Sequence, residues 1–139
     1  MPTPDQLKVS SLGECRYDSP LALSSTRGDG ISDFTPDDAR LLYRADFSGD
    51  EAPDASVAFE KAGPRQRIFF DPAETVAAIA TCGGLCPGLN NVIRSVFLQL
   101  HHGYGVGHVL GVRYGYAGLN AARGAPPVRL TETLVESIH

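Results

Sequence analysis

One nineteen-residue stretch constrains this chain more than any other. From Val76 to Arg94 it reads VAAIATCGGLCPGLNNVIR: an unbroken apolar run, a glycine-rich turn, and the opening of an amphipathic helix. Val76 to Ala80 has the make-up of a strand buried on both faces. Beyond the turn, Leu89, Val92, Ile93, Val96, Phe97 and Leu100 recur at i, i+3, i+4, i+7, i+8 and i+11, a single apolar stripe. Gly103-Tyr104-Gly105 ends that helix, and Val109 to Val112 reads as a second buried strand. Strand, crossover helix and strand within about 40 residues match a right-handed βαβ unit. The expected fold class is therefore α/β, the first part of a doubly wound parallel-sheet domain.

In such a unit the first turn lies at the carboxyl end of a strand, where open α/β sheets bind phosphates. Gly83 and Gly84 let the backbone take positive φ and leave no Cβ between N–H groups and a ligand. Pro87 and Gly88 stand at the helix start, where a missing N–H is harmless and the helix dipole favours an anion. Taken alone, the glycines fit a plain tight turn as well as a phosphate cradle. Two other phosphate motifs fail on spacing. Gly83-Gly84-Leu85-Cys86-Pro87-Gly88 is not the G-x-G-x-x-G dinucleotide turn. In a Walker loop, lysine and a hydroxyl residue would stand where Leu89 and Asn90 are found.

Three cysteines do not form a secreted disulfide framework. Cys82 and Cys86 lack a second Cys/His pair at ligand spacing, so they read as small thiols in a crowded turn, and no metal ligand is assigned. Arg94 lies off the apolar stripe and reads as solvated. His101 and His102 close the helix, where the dipole favours a cation. Tyr116 follows the second strand, where its ring can stack on a flat ligand or pack in a turn. No Ser/His/Asp order or close carboxylate pair points to hydrolysis, and no catalytic residue is assigned.

Residues 1 to 60 differ in character and read as an N-terminal extension. Thr35-Pro36-Asp37-Asp38 has the marks of a helix start, with the helix running to Tyr43 or Arg44. Residues 48–53 read as a loop, and Ile68-Phe69-Phe70 as a short strand closed by Asp71-Pro72. Gly115 to Leu119 reads as a turn, and a last helix is expected from Thr131, with Glu132 in its first turn, cut off at His139. A charge of −4 with no Lys/Arg cluster argues against a nucleic-acid partner. No apolar run approaches the roughly 20 residues of a membrane span, and the N-terminus lacks a signal peptide, which makes the cytoplasm the default.

The words TCGGLCPGLNNVIR resemble the N-terminal signature of 6-phosphofructokinases, in the variant of plant, trypanosomatid and many bacterial enzymes. Ala62-Gly63-Pro64-Arg65 with Phe69-Phe70-Asp71-Pro72 before it, and Gly111 to Leu119 after it, extend the resemblance over residues 60 to 138. It divides the chain into the extension, 1–60, and an incomplete nucleotide- or phosphate-binding α/β domain, 61–139. It implies that Gly84 approaches the phosphoryl donor, that Gly83 supports the turn, and that Tyr116 lies near the nucleotide. Arg94 matches an effector-site arginine of bacterial enzymes, but Leu98 replaces its partner, and Leu85 stands where the bacterial type has aspartate. The family's Gly-Gly-Asp donor loop, its catalytic aspartate segment and its sugar-phosphate ligands have no counterpart here.

The function so implied is Mg²⁺-dependent phosphoryl transfer from ATP to fructose 6-phosphate, giving fructose 1,6-bisphosphate in glycolysis, by a homo-oligomer at full length. The 139-residue chain alone is expected to be an inactive fragment. Two alternatives stand beside it: pyrophosphate as the donor, or a non-catalytic piece that binds only an anion or a partner.

Overall fold

The structure is a computed structural model describing residues 2–46, 48–49, 52–84, 86–122 and 124–138. Expectations placed on Asp50, Glu51, Leu85 and His139 fall outside the described residues. The chain forms two compact units, Met1–Phe69 and Phe70–His139.

The second unit carries the βαβ arrangement. Strand β5 (Val76–Ala80) is followed by helix α1 (Leu89–Leu98) and strand β6 (His108–Val112). β5 and β6 pair in parallel, from Val76 opposite His108 to Ala80 opposite Val112. On the other side of β6, a two-residue strand β7 (Val128–Arg129) runs antiparallel, with Gly111 opposite Val128. The observed class is thus mixed α/β, with a three-stranded sheet in the order β5-β6-β7.

Phe97, Val106, Val109 and Val135 form the buried core, and Ala77, Ile79, Leu98, Leu100, Tyr104, Leu130 and Ile138 pack against it. Two expectations are corrected here. β5 is not buried on both faces: Ala77 and Ile79 are half-buried, while Val76, Ala78 and Ala80 are exposed. The stripe of α1 also divides. Leu89, Ile93, Phe97 and Leu100 turn inward, whereas Val92 and Val96 are exposed. Within this unit α1 shares the core with Val109 of β6 and Val135 of α2, and these neighbours cover only part of its wide apolar arc.

At its end α1 becomes a π turn, Gln99–Gly103, in which the Tyr104 N–H donates to Gln99 O at 3.0 Å. Gly105, at φ +74°, then reverses the chain. The expected last helix is α2 (Glu132–Glu136), and the Thr131 hydroxyl accepts from the Leu134 N–H at its start. It ends at Glu136 rather than running on to the chain's last residue.

In the first unit, strand β1 (Tyr17–Asp18) pairs antiparallel with β4 (Arg67–Ile68), and β2 (Arg40–Leu42) with β3 (Ala58–Glu60). The helix expected from Thr35 to Arg44 is replaced by a single turn, with Ala39 N–H donating to Pro36 O, and then by β2. Arg65 supplies the reason. Its guanidinium donates to the carbonyls of Thr35, Pro36 and Lys61 and to the Glu60 carboxylate, fastening the turn to the end of β3, where Lys61 N–H donates to Ala39 O and β2 pairs with β3 in place of a second helical turn. The strand expected at 68–70 is confined to Arg67–Ile68. No described residue of this unit is fully buried, so polar ties rather than a packed core hold it.

Candidate functional site

β5 ends at Ala80, and the chain passes through Gly83 and Gly84 to the first turn of α1. Gly83 has φ +115° and Gly88, the N-cap of α1, has φ +88°. Both are left-handed conformations in which a side chain costs energy. Leu89 N–H donates back to Cys86 O at 3.2 Å and Val92 N–H to Gly88 O at 3.0 Å, closing the entry to the helix. The N–H groups of Asn90 and Asn91 have no intrahelical acceptor, as at any helix start. Gly88 offers no capping side chain, and the first turn carries no acid, so the positive end of α1 is uncompensated by its own residues.

These groups line an open concavity of about 650 Å³, bounded by Gly83, Gly84, Cys86, Pro87, Gly88 and the first residues of α1. That volume lies within the roughly 300–1,000 Å³ of small-molecule sites. Among the described residues, chain neighbours aside, a Cβ placed at Gly83, Gly84 or Gly88 would meet no atom within 4 Å. At Gly84 the backbone is not in the left-handed region either. The chain's own folding therefore gives no reason for glycine at position 84. Cys82 and Cys86 are exposed free thiols, so the turn is open rather than crowded.

Of the residues expected at the site, Gly83 and Gly84 line this concavity and Tyr116 does not. Tyr116 lies in a short 3-10 turn, Gly115–Leu119, directly after β6, and is 76% exposed. Its turn nonetheless rests on the end of β5. A Cβ at Gly115 (φ +59°) would come within 2.9 Å of Cys82 Sγ and 3.0 Å of Thr81 O. Parallel pairing puts both turns at the same sheet edge, and Gly115 allows their backbones to touch. Arg94 differs from its expectation: it is half-buried, and its Nε is buried without a hydrogen-bond partner among the described residues.

A second cluster, His101, His102 and Glu132, is formed only by the fold. The histidine pair and the first-turn acid were each visible, but nothing in the spacing joined them. Among the described residues, no helix is long and apolar enough to cross a membrane.

The fold and this turn define a class: a mixed α/β protein with an open, glycine-built turn between its first parallel strand and the following helix. No family model matches the chain. It is 45% identical to the ATP-dependent 6-phosphofructokinase of Amycolatopsis methanolica, across 97% of this chain and 30% of the relative. The enzyme of that name from Borreliella burgdorferi is 42% identical across 95% of the chain and 30% of its own length. The Trypanosoma cruzi enzyme is 52% identical, over 58% of the chain and 16% of the relative. The chain belongs to the 6-phosphofructokinase family, and it spans about 30% of the length of the first two relatives. Alignment across nearly the whole chain also carries the likeness into residues 1–60, beyond the stretch where sequence motifs placed it.

Proposed function

We propose that this chain supplies the donor-side phosphate cradle of an ATP-dependent 6-phosphofructokinase, which transfers the γ-phosphoryl group of ATP to fructose 6-phosphate. One observation carries the reading: Gly84 is a glycine that the fold itself does not require, at the mouth of an uncapped helix N-terminus. A phosphate oxygen is the neighbour for which a missing Cβ matters there. Gly83 and Gly88 set the turn, the α1 amides face the anion, and Tyr116 flanks the nucleotide from the adjoining turn. The relatives are named as ATP-dependent, which favours ATP over pyrophosphate.

Mg²⁺ belongs to the reaction as the counter-ion of ATP, but the turn does not fit it. None of the described residues lining the concavity is acidic, and a hard cation needs oxygen ligands of that kind. In this reading, metal ligation, proton removal from the sugar hydroxyl and the grip on fructose 6-phosphate come from polypeptide beyond these residues. The chain by itself is inactive in phosphoryl transfer. Residues 61–139 then open a doubly wound domain in a cytoplasmic homo-oligomer, and residues 1–60 precede it as an extension. The exposed outer residues of β5 and the exposed Val92 and Val96 support further layers against this sheet and helix.

The test is titration of ATP and of pyrophosphate into the ¹⁵N-labelled chain. ATP should shift the amides of Gly83, Gly84, Asn90 and Asn91 together and saturate. Shifts confined to other residues, or pyrophosphate binding without ATP binding, overturn the reading. Fructose 1,6-bisphosphate formation, assayed on a polypeptide that joins this segment to the catalytic segments, should need ATP.

A further inference from the structure

The end of α1 and the start of α2 meet at three side chains that play no part in the phosphate turn. His101 and His102 are neighbours in sequence and would diverge by about 100° on a regular helix. They sit instead in the π turn Gln99–Gly103, a geometry often found at functional sites. Both imidazoles reach one oxygen of Glu132, the first residue of α2: His102 Nε2 lies 3.1 Å and His101 Nε2 3.7 Å from Oε1. The ligand atoms of all three residues fall within 4.8 Å of one another.

The tautomer of one ring follows from its other contact. His101 Nδ1 lies 3.1 Å from the carbonyl oxygen of Val106, which only accepts, so Nδ1 carries the proton. In the neutral ring Nε2 is then the lone-pair nitrogen, and it lies on the side of the Glu132 carboxylate. Fixing one ring nitrogen through a backbone carbonyl is also how metal-ligating histidines are oriented.

The spacing suits a transition metal. Bonds of about 2.0–2.1 Å in a tetrahedral zinc site put ligand atoms about 3.3 Å apart, and the two observed spacings to Glu132 fall on either side of that value. The His101–His102 edge is no longer than 4.8 Å, and rotation of side chains that are 38% and 58% exposed can bring it to tetrahedral spacing. An open cavity of about 420 Å³, lined in part by Phe97, His101, Thr131 and Glu132, admits an ion and its waters.

We propose that His101, His102 and Glu132 form a binding site for a divalent transition metal of the zinc type, with water completing the shell. This reverses, for these residues, the expectation that the chain has no metal ligand. Imidazole favours zinc-class ions over Mg²⁺, so the site is separate from ATP chemistry and stands whether or not the proposed function does. Its role is structural: a bound ion ties α2 to the end of α1.

The test uses the full 139-residue chain, freed of metal with a chelator and titrated with Zn²⁺ by calorimetry and Co²⁺ by visible absorption. One ion per chain is expected, with Co²⁺ bands of four-coordinate intensity. A hundredfold excess of Zn²⁺ over its dissociation constant should raise the melting temperature of the second unit by roughly 10 °C or more. His102→Ala and Glu132→Gln should each weaken Zn²⁺ binding at least tenfold, while His108→Ala, on β6, leaves it unchanged. Should either variant fail to fold, ¹⁵N shifts of the wild-type rings decide: Zn²⁺ must move Nε2 of both His101 and His102. Binding that survives His102→Ala and Glu132→Gln, or that is lost in Cys82→Ser with Cys86→Ser, overturns the proposal.

Discussion

Among the described residues, its chain neighbours aside, a methyl group at Gly84 would meet no atom within 4 Å, and the backbone there lies outside the left-handed region. Gly84→Ala should therefore leave the fold intact and restrict only the unfolded chain, a gain of about 0.4–1 kcal/mol. For a unit of this size that raises the melting temperature by roughly 2–8 °C. Gly88→Ala is the contrast. At φ +88° an alanine costs about 1–2 kcal/mol, and melting should fall by roughly 4–16 °C. Ligand binding should order the positions differently. A Cβ at Gly84 displaces a phosphate oxygen from the backbone N–H groups, and one lost hydrogen bond to a charged group is worth about 1.5–3 kcal/mol. ATP affinity in Gly84→Ala should fall by roughly 10- to 150-fold, measured by calorimetry beside thermal melts followed by circular dichroism. A variant that melts well below the wild type, or binds ATP as tightly, would falsify the assignment of this glycine to a ligand.

Phe97 is 2% exposed at the centre of the second unit's core, so Phe97→Ala should cost about 3–5 kcal/mol in urea denaturation; a loss below 1 kcal/mol would mean that the core lies elsewhere. Arg65→Lys keeps the charge but loses the planar fork that joins the Thr35, Pro36 and Lys61 carbonyls to Glu60. It should destabilise the first unit by about 1.5–3 kcal/mol, read as accelerated amide exchange at Thr35 and Ala39, and unchanged exchange argues against the tie. The Ser24 hydroxyl and then the Ile31 N–H hold the Asp29 carboxyl below its ordinary 3.8. A lowered folded-state value means that this contribution to stability is complete above about pH 3.8 and lost as the pH falls through the lowered value. In carboxylate NMR titrations Ser24→Ala should move Asp29 back up toward 3.8, and an unmoved titration curve counts against the hydroxyl.

How far the sequence foretold the structure depended on the reach of each contact. β5, α1 and β6 were legible because a five-residue apolar run and a twelve-residue stripe announce themselves within short windows. Gly83 and Gly84 were placed for the same reason, since they follow directly from strand and helix. The inner and outer halves of the stripe were not separable, because burial of Val92 and Val96 depends on what packs against α1. The helix expected at Thr35 gave way to distant partners: Arg65, thirty residues away, ties the Thr35 carbonyl, and β3 draws Arg40–Leu42 into a strand pair that overrides local propensity. β7 is too short for any period to show. The cluster at Glu132 was hidden twice, by its distance from the histidines and by a π turn that no helical periodicity foretells.

The pairing of Tyr17 with Ile68 has a consequence for the order of events as the first unit forms. β1 and β4 are the first and last strands of the unit. Ser19 N–H reaches Gln66 O at 2.8 Å, and the Arg67 guanidinium grips both Asp18 and the Arg16 carbonyl. Closing a loop of about fifty residues forfeits roughly 3.4 kcal/mol of chain entropy before any contact repays it. The hairpin-like β2–β3 pair and the Arg65 turn close shorter loops and should form first. During synthesis the early strand therefore waits for residues 67 and 68, and a chain halted before them would leave β1 without its partner strand.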